Sequence, residues 1–476
     1  MHAGWRAPLA FISLLLSTAP LPASTGSSVT RTLLPHETEL LALAANPGGT
    51  RALVTLRTAL DTKSMYLTEQ QRLDDVVNAE ATFAIDLVGF NAQIVRSYAA
   101  FPVVLVNVDA AALSHILGLG EVLGVQEDHA NQLLDNSNDS IMQAPTAWNS
   151  GFSGTDEVVA VLDTGVQENH PFLSIGGTTS RVVSALEGCF SGAGGGAPGV
   201  SSLCPGGVYS ETGDPNGNLD GANCDISIGG CDHGTHVAGI AAGSGAYAGG
   251  NNENGVAVSA NLMPIQVFSC YNPGSGCLIE TFDSDIIAAL DWVHYVAVNT
   301  TYHIAAANLS LGSSGSHYTS YCDATATAYK MAIDTLRNAD AIATVIAAGN
   351  DGYTDGINYP ACVSSAISVA ATDNTDTLAS FSDSSAFVSL YAPGVAVYSS
   401  IPSSTYTYMS GTSMSTPQVA GALAILQSKF GHQSTIDQLL TILQKTGKPI
   451  SANGYVRPRV DIGAATDDIF VSGFGD

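Results

Sequence analysis

Apolar positions along this chain fall into long runs and regular spacings rather than scattered singles. From Gln418 to Phe430 they are nearly continuous and spaced for a buried helix. Helical spacing also recurs over Gly234–Gly243, Phe282–Val298, Cys322–Arg337 and Ser434–Lys445. Between these lie short apolar runs with the length of strands: Glu157–Leu162, Asn261–Phe268, Ile304–Leu309, Ala341–Ala347 and Ala366–Ala371. Strands that are apolar on both faces and alternate with helices predict an α/β fold with a doubly wound, mostly parallel sheet. In such sheets the functional crevice lies beyond the carboxyl ends of the strands.

The front of the chain has a different rhythm. Arg51–Arg57 alternates with period two, Leu67–Phe90 has helical spacing, and Ile94–Tyr98 and Val103–Val108 read as paired strands. Ala110–Leu117 reads as a short helix and Val122–Glu127 as a last strand. That order, β-α-β-β-α-β, is the ferredoxin-like split arrangement of a small α+β unit. The expected layout is a signal peptide over 1–23, a linker over 24–50, the small unit over 51–130, a polar segment over 131–140, the main α/β domain over 141–467 and a short tail over 468–476.

Composition narrows the class. The chain has 476 residues, 45% hydrophobic and only 12% charged, which suits a large packed core and excludes a disordered chain. Formal net charge is −27, from 42 acidic and 15 basic residues. Such a surface repels nucleic acid and anionic membranes, so neither is an expected partner. Arg6, the apolar stretch Leu9–Leu16 and the small residue Ala23 have the order of an export signal, which implies a secreted, extracellular protein. The eight cysteines, 189, 204, 224, 231, 270, 277, 322 and 362, all lie downstream of residue 188. In an exported chain an even count implies disulfides. Nearest neighbours in sequence are the expected partners: Cys189–Cys204, Cys224–Cys231, Cys270–Cys277 and Cys322–Cys362.

The helix from Gln418 is opened by Gly411-Thr412-Ser413-Met414-Ser415-Thr416-Pro417. A serine there is ordinarily a helix cap. It also sits beside unpaired backbone N–H groups and the positive end of the helix dipole, which favour a developing oxyanion. Three other stretches change the weighting: Val161-Leu162-Asp163-Thr164-Gly165, His233-Gly234-Thr235-His236-Val237-Ala238-Gly239 and Ala347-Ala348-Gly349-Asn350. With Gly411–Pro417, and in the order Asp, His, Ser, they resemble the subtilisin-like serine proteases, or subtilases.

The resemblance implies a role for each residue. Ser413 would attack the peptide carbonyl, His233 would take its proton, Asp163 would orient the imidazole and Asn350 would hold the oxyanion. His233 and His236 stand three apart, but no acidic partner completes a metal motif, and the family pattern puts the base at His233. Asn308-Leu309-Ser310-Leu311-Gly312 resembles the edge to which substrate adds as a strand, and Gly349 belongs with Asn350 at the pocket. Met414 is expected to pack in the core, or to make turnover oxidation-sensitive if its sulfur faces the cleft.

The small leading unit resembles the inhibitory propeptide of the family, with a permanent accessory domain as the other reading. Expected partners are therefore peptide or protein substrates and the chain's own propeptide, for a monomer. No cofactor is expected for the chemistry. Calcium is a candidate structural ion, at Asp214, Asn216, Asn218, Asp220 and Asp225 or near Asn251–Gly255, although Leu219 stands where such a loop needs glycine. About 70 residues separate Asp163 from His233, and four cysteines fall inside that interval. This disulfide-pinned insertion either narrows substrate access or stabilises an exported enzyme. Two other functions fit the same residues: a catalytically silent binding protein on this scaffold, and a narrow-specificity processing protease.

Overall fold

A computed structural model describes residues 33–58, 69–128, 130–133, 141–175, 177, 179–213, 224–244, 254–272, 274 and 276–467. The chain divides into two compact units, Met1–Glu127 and Asp128–Asp476.

In the first unit the described elements are α1 (Pro35–Ala44), β1 (Thr50–Leu56), α2 (Glu69–Asp86), β2 (Ala92–Ser97), β3 (Val103–Val108), α3 (Ala110–Leu117) and β4 (Val122–Glu127). The sheet order is β2-β3-β1-β4, with every pair antiparallel. Alternate residues of β1 and β3, among them Val54, Leu56, Val104 and Val106, share a core with Phe83, Leu113 and Ile116 from the helices. Asp109 caps α3 by accepting from the N–H groups of Ala111 and Ala112 at 3.0 and 2.9 Å. Part of the segment read as a linker, Pro35–Ala44, is the helix α1. Proline at its first turn and a Glu37 carboxylate accepting from Leu34 N at 2.8 Å start that helix, and burial of Leu40 and Ala44 holds it down.

The second unit opens with β5 (Ala130–Leu133), α4 (Ala144–Asn149) and β6 (Glu157–Asp163). Short strands follow: β7 (Ser174–Ile175), β8 (Thr179–Ser180), β9 (Gly188–Phe190), β10 (Val200–Ser202) and β11 (Ser210–Thr212). Next come α5 (His233–Ala242), β12 (Asn261–Gln266), β13 (Phe268–Tyr271), β14 (Leu278–Phe282), α6 (Asp283–Asn299), β15 (His303–Leu309), β16 (Leu311–Tyr318) and α7 (Thr327–Asn338). The chain continues through β17 (Ala343–Ala347), β18 (Ile357–Tyr359), β19 (Ile367–Thr372), β20 (Leu390–Pro393) and the hairpin β21 (Val397–Ile401) and β22 (Thr405–Met409). It ends in α8 (Thr412–Phe430), α9 (Ile436–Thr446), β23 (Lys448–Ala452), β24 (Tyr455–Arg459) and α10 (Ile462–Asp467).

The main sheet runs β11-β9-β12-β6-β15-β17-β19-β20-β24-β23. Its pairs are parallel from β9 to β24, and only the outermost pair at each edge is antiparallel. Helices cover both faces, as a doubly wound α/β sheet requires. Val159 and Val161 of β6 share a core with α5 and α8. Val158, Ala160 and Leu162, equally buried, point by the period of the strand to the other face, where α6 and α7 pack. Residues 412–427 of α8 are all buried, so packing rather than helix propensity holds this Gly-, Ser- and Thr-rich segment. Full burial of Leu423, Ile425 and Leu426 contributes about 1.5–3 kcal/mol each. Met414 lies in this same core, in line with its packing role.

A second sheet, β10-β13-β14-β5-β16-β18, stands beside the first. All four expected disulfides are present, and no cysteine is free. Among the described residues no helix is long and apolar enough to cross a membrane.

Strand β6 carries a carboxylate at each end. At the far end from Asp163, burial first and the Asp156 charge second push the Glu157 carboxyl up from 4.5 to about 8. His432 Nε2 lies 3.0 Å from Glu157 Oε1. Burial and the neighbouring His303 push that imidazole down. An acid whose folded pKa lies above its unfolded value is neutral in both states at low pH and costs stability once ionised. The cost therefore grows as pH rises from 4.5 towards 8. Urea titrations of Glu157→Gln and its parent at a series of pH values should show the variant gaining relative stability across that window; a difference independent of pH would refute the assignment.

Candidate active site

Asp163 is the last residue of β6, fully buried where the strand leaves the sheet. Its Oδ1 accepts from Thr164 N at 2.8 Å, and both oxygens meet His233 Nδ1, at 2.8 and 3.0 Å. His233 opens α5. The next residue must be glycine. A Cβ at Gly234 would stand 2.2 Å from Gly165 O, and the bare backbone lets Gly234 N donate to Thr164 Oγ1 at 2.9 Å. The sequence Asp-Thr-Gly on the strand and His-Gly on the helix thus fit as one joint. A carboxylate against Nδ1 fixes the imidazole with Nδ1 protonated, which leaves Nε2 as the basic nitrogen.

His236, one turn on, is a different group. Its Nε2 lies 3.3 Å from Thr407 O, and burial first, then the charge of His233, hold it down to about 3. It is neutral throughout the ordinary imidazole range.

Ser413 is the second residue of α8, buried in the helix's first turn. Its hydroxyl donates to the Ser310 carbonyl at 3.1 Å. Asn350 follows β17 through Gly349, whose φ of +122° is open to glycine alone. The Asn350 Oδ1 accepts from both Thr412 N and Thr412 Oγ1 at 3.0 Å. The amide is thereby oriented, and its Nδ2 has no partner among the described residues. Gly349 N donates to Thr412 Oγ1 at 3.3 Å, so the Gly349–Asn350 turn is fastened to the residue before Ser413.

The strand expected to receive substrate is also formed. Asn308, Leu309, Ser310, Leu311 and Gly312 run from the end of β15 into β16, all buried. Leu311 and Gly312 pair antiparallel with Leu133 and Gln132 of β5, and Asn131 and Ala130 pair on the other side with Thr281 and Phe282 of β14. The chain's own segment 130–133 thus lies as the middle strand between two edges. Ser310 departs from a simple substrate-binding role, because its hydroxyl is turned inward and donates to Ser413 O at 2.8 Å. The structure therefore brings Asp163 to His233, Asn350 to Thr412 and Ser310 to Ser413.

The candidate calcium ligands from Asp214 to Asp220 and residues 251–253 lie outside the described residues. Among the described residues no group of three or more His, Cys, Asp or Glu side chains is placed to hold a metal ion.

The Subtilase family profile matches residues 154–458. Subtilisin Savinase of Lederbergia lenta is 35% identical over 328 residues, 69% of this chain and 97% of that protein. An alkaline protease of Shouchella clausii is 35% identical over the same length, 68% of that protein. Thermitase of Thermoactinomyces vulgaris is 33% identical over 316 residues, 66% of this chain and 88% of that protein. A solved structure described as a cold adapted subtilisin-like serine proteinase aligns with TM-score 0.45 at 27% identity, over 65% of this chain and 90% of that one. The chain belongs to the subtilase family. It is a serine-type endopeptidase.

The Cys224–Cys231 bridge closes a loop that holds both partners of the Asp–His joint. Cys224 N donates to Thr164 O at 3.1 Å, and Cys231 stands two residues before His233. Replacing both cysteines by serine should lower stability by about 2 kcal/mol, from the entropy of the closed loop. It should also reduce turnover on a small ester. The urea midpoint and kcat are the readouts, and unchanged kcat would show that the loop does not hold His233.

Proposed function

We propose that this protein is a secreted endopeptidase that cleaves peptide bonds through Asp163, His233 and Ser413, and that it matures from an autoprocessed precursor. The observation that carries this reading is the buried Asp163–His233 contact at 2.8 and 3.0 Å. It fixes the tautomer that a general base needs and stabilises the imidazolium as it forms.

In this mechanism the Ser413 hydroxyl leaves the Ser310 carbonyl and gives its proton to His233 Nε2 as its oxygen attacks the substrate carbonyl. The oxyanion is held by Asn350 Nδ2 and the backbone N–H of Ser413. His233 then protonates the leaving amine, an acyl-enzyme forms, and water releases it by the same proton path in reverse. The chemistry requires no cofactor. The substrate is an extended peptide added as a strand on Leu311–Gly312, beside Gly349.

The leading ferredoxin-like unit is a removable inhibitor in this reading. Support comes from β5: an extended segment at 130–133, already hydrogen-bonded along the Leu311–Gly312 edge, stands where substrate would. The polar stretch 131–140 is the proposed place of scission, and residues 134–140 of it lie outside the described residues. Export rests on the leader over 1–23, also outside the described residues, and agrees with four disulfides in the second unit.

The decisive comparison is the full chain against its Ser413→Ala variant. The parent should shorten to a product beginning between residues 129 and 140 and digest casein; the variant should remain full length and inactive. Equal processing and digestion in the two would end the proposal.

A second test uses pH. The base must be neutral, so kcat/KM should fall as pH drops through the imidazole range, about 6–7 in general. His236 cannot supply this limb, because burial keeps it neutral down to about 3. Activity that stays level to pH 4 would exclude His233 as the base.

A further inference from the structure

We infer that Ser310 is a positioning residue whose hydroxyl replaces a backbone hydrogen bond that Pro417 removes from the helix carrying Ser413. The inference rests on the reading of Ser413 as the nucleophile and extends it.

In an α-helix the carbonyl of residue i accepts from the N–H of residue i+4. For Ser413 in α8 that donor would be residue 417, which is proline and has no N–H. The Ser413 carbonyl, in a residue that is fully buried, would otherwise lose its helical donor. The Ser310 hydroxyl, also buried, donates to it at 2.8 Å. The donating hydroxyl is itself oriented, because Asn308 Nδ2 donates to Ser310 Oγ at 3.0 Å. A relay therefore runs from Asn308 through Ser310 to the backbone of Ser413.

The same two residues meet a second time, through the Ser413 hydroxyl on Ser310 O at 3.1 Å. That contact must open for attack, whereas the contact to the Ser413 carbonyl need not. The carbonyl anchor holds the backbone of residue 413 while its side chain turns. Proline at 417 thus makes the nucleophile's backbone answer to β16 and the end of β15 rather than to its own helix. Any substrate strand laid on Leu311–Gly312 is then in register with the nucleophile, since one short segment holds both.

The test is a double-mutant cycle on the mature enzyme from the full chain, with kcat and KM measured on a peptide substrate. Labelling of Ser413 by phenylmethanesulfonyl fluoride confirms the nucleophile in each variant. Slow variants are matured with a trace of parent enzyme, which is then removed. Ser310→Ala should lower kcat about tenfold to a hundredfold with KM nearly unchanged, the effect of a misplaced nucleophile. Ser310→Thr, which keeps the hydroxyl, should recover most of that loss. Pro417→Ala returns an N–H to the helix, so it should cost little by itself and restore the Ser310→Ala enzyme to within about threefold of Pro417→Ala alone. Losses that multiply in the double variant, or a Ser310→Ala enzyme with unchanged kcat and labelling rate, would overturn the inference alone. A parent enzyme that hydrolyses peptide without labelling at Ser413 would overturn the underlying reading as well.

Discussion

The second unit is built around one buried joint: the contact between a carboxylate at the end of a strand and an imidazole at the start of a helix. Neither partner is tolerable there without the other. A buried carboxylate needs donors, and Asp163 has Thr164 N and His233 Nδ1. The joint also fixes how closely α5 approaches β6, because Gly234 lies against Gly165 with no room for a side chain. The geometry of the Asp–His pair and that of the fold are therefore the same constraint at this place. Relaxing one would move the other.

The opposite end of β6 carries a second buried carboxyl in a different setting. Glu157 is fully buried, and burial first and the Asp156 charge second raise it to about 8; His432, 3.0 Å away, is itself pushed towards neutrality. The strand thus ends in one carboxylate held against an imidazole by two short contacts and one carboxyl that stays protonated near neutral pH. Burial is common to both; the partners differ, a backbone N–H and a buried imidazole for Asp163 and a half-exposed imidazole for Glu157.

Much of this was legible in the sequence, for identifiable reasons. Val103–Val108, Ala110–Leu117 and Val122–Glu127 have the limits the apolar periodicity predicts, because each is bounded by a turn residue or a cap such as Asp109. Asp163, His233, Asn350 and Ser413 were singled out through four short motifs rich in small residues, and the structure places Asp163 against His233 and Asn350 against the residue before Ser413. The helix expected from Cys322 begins only at Thr327, since the Cys322–Cys362 bridge and a turn occupy the residues between. The helix α1 was hidden in a segment rich in proline, glycine and polar residues. Its signal was the proline followed by Glu37, with Leu40 and Ala44 one turn apart. The inward turn of the Ser310 hydroxyl could not be read from spacing. It could have been suspected from Pro417, which deprives a carbonyl four residues back of its donor and obliges something else to supply one.

The insertion between Asp163 and His233 takes a more definite part in the structure than a surface ornament. Its strand β9 lies parallel to β12 at the edge of the main sheet, and its strand β10 pairs with β13 in the second sheet. Cys189 lies in β9 and Cys204 just beyond β10, so one disulfide staples the two sheets together. Ala193 N donates to Asp285 of α6, and Trp292 of α6 donates to Leu186 O, which fastens the insertion to the helix beneath. The second sheet carries β14 and β16, the two edges between which β5 lies. The bridge fixes the β10 end of that sheet, and β13 connects this end to β14. In an extended peptide bound as a middle strand, hydrogen bonds on both sides depend on the width of that gap. The Cys189–Cys204 bridge therefore bears on that gap only through β10 and β13, whereas Cys224–Cys231 bears on the Asp163–His233 joint.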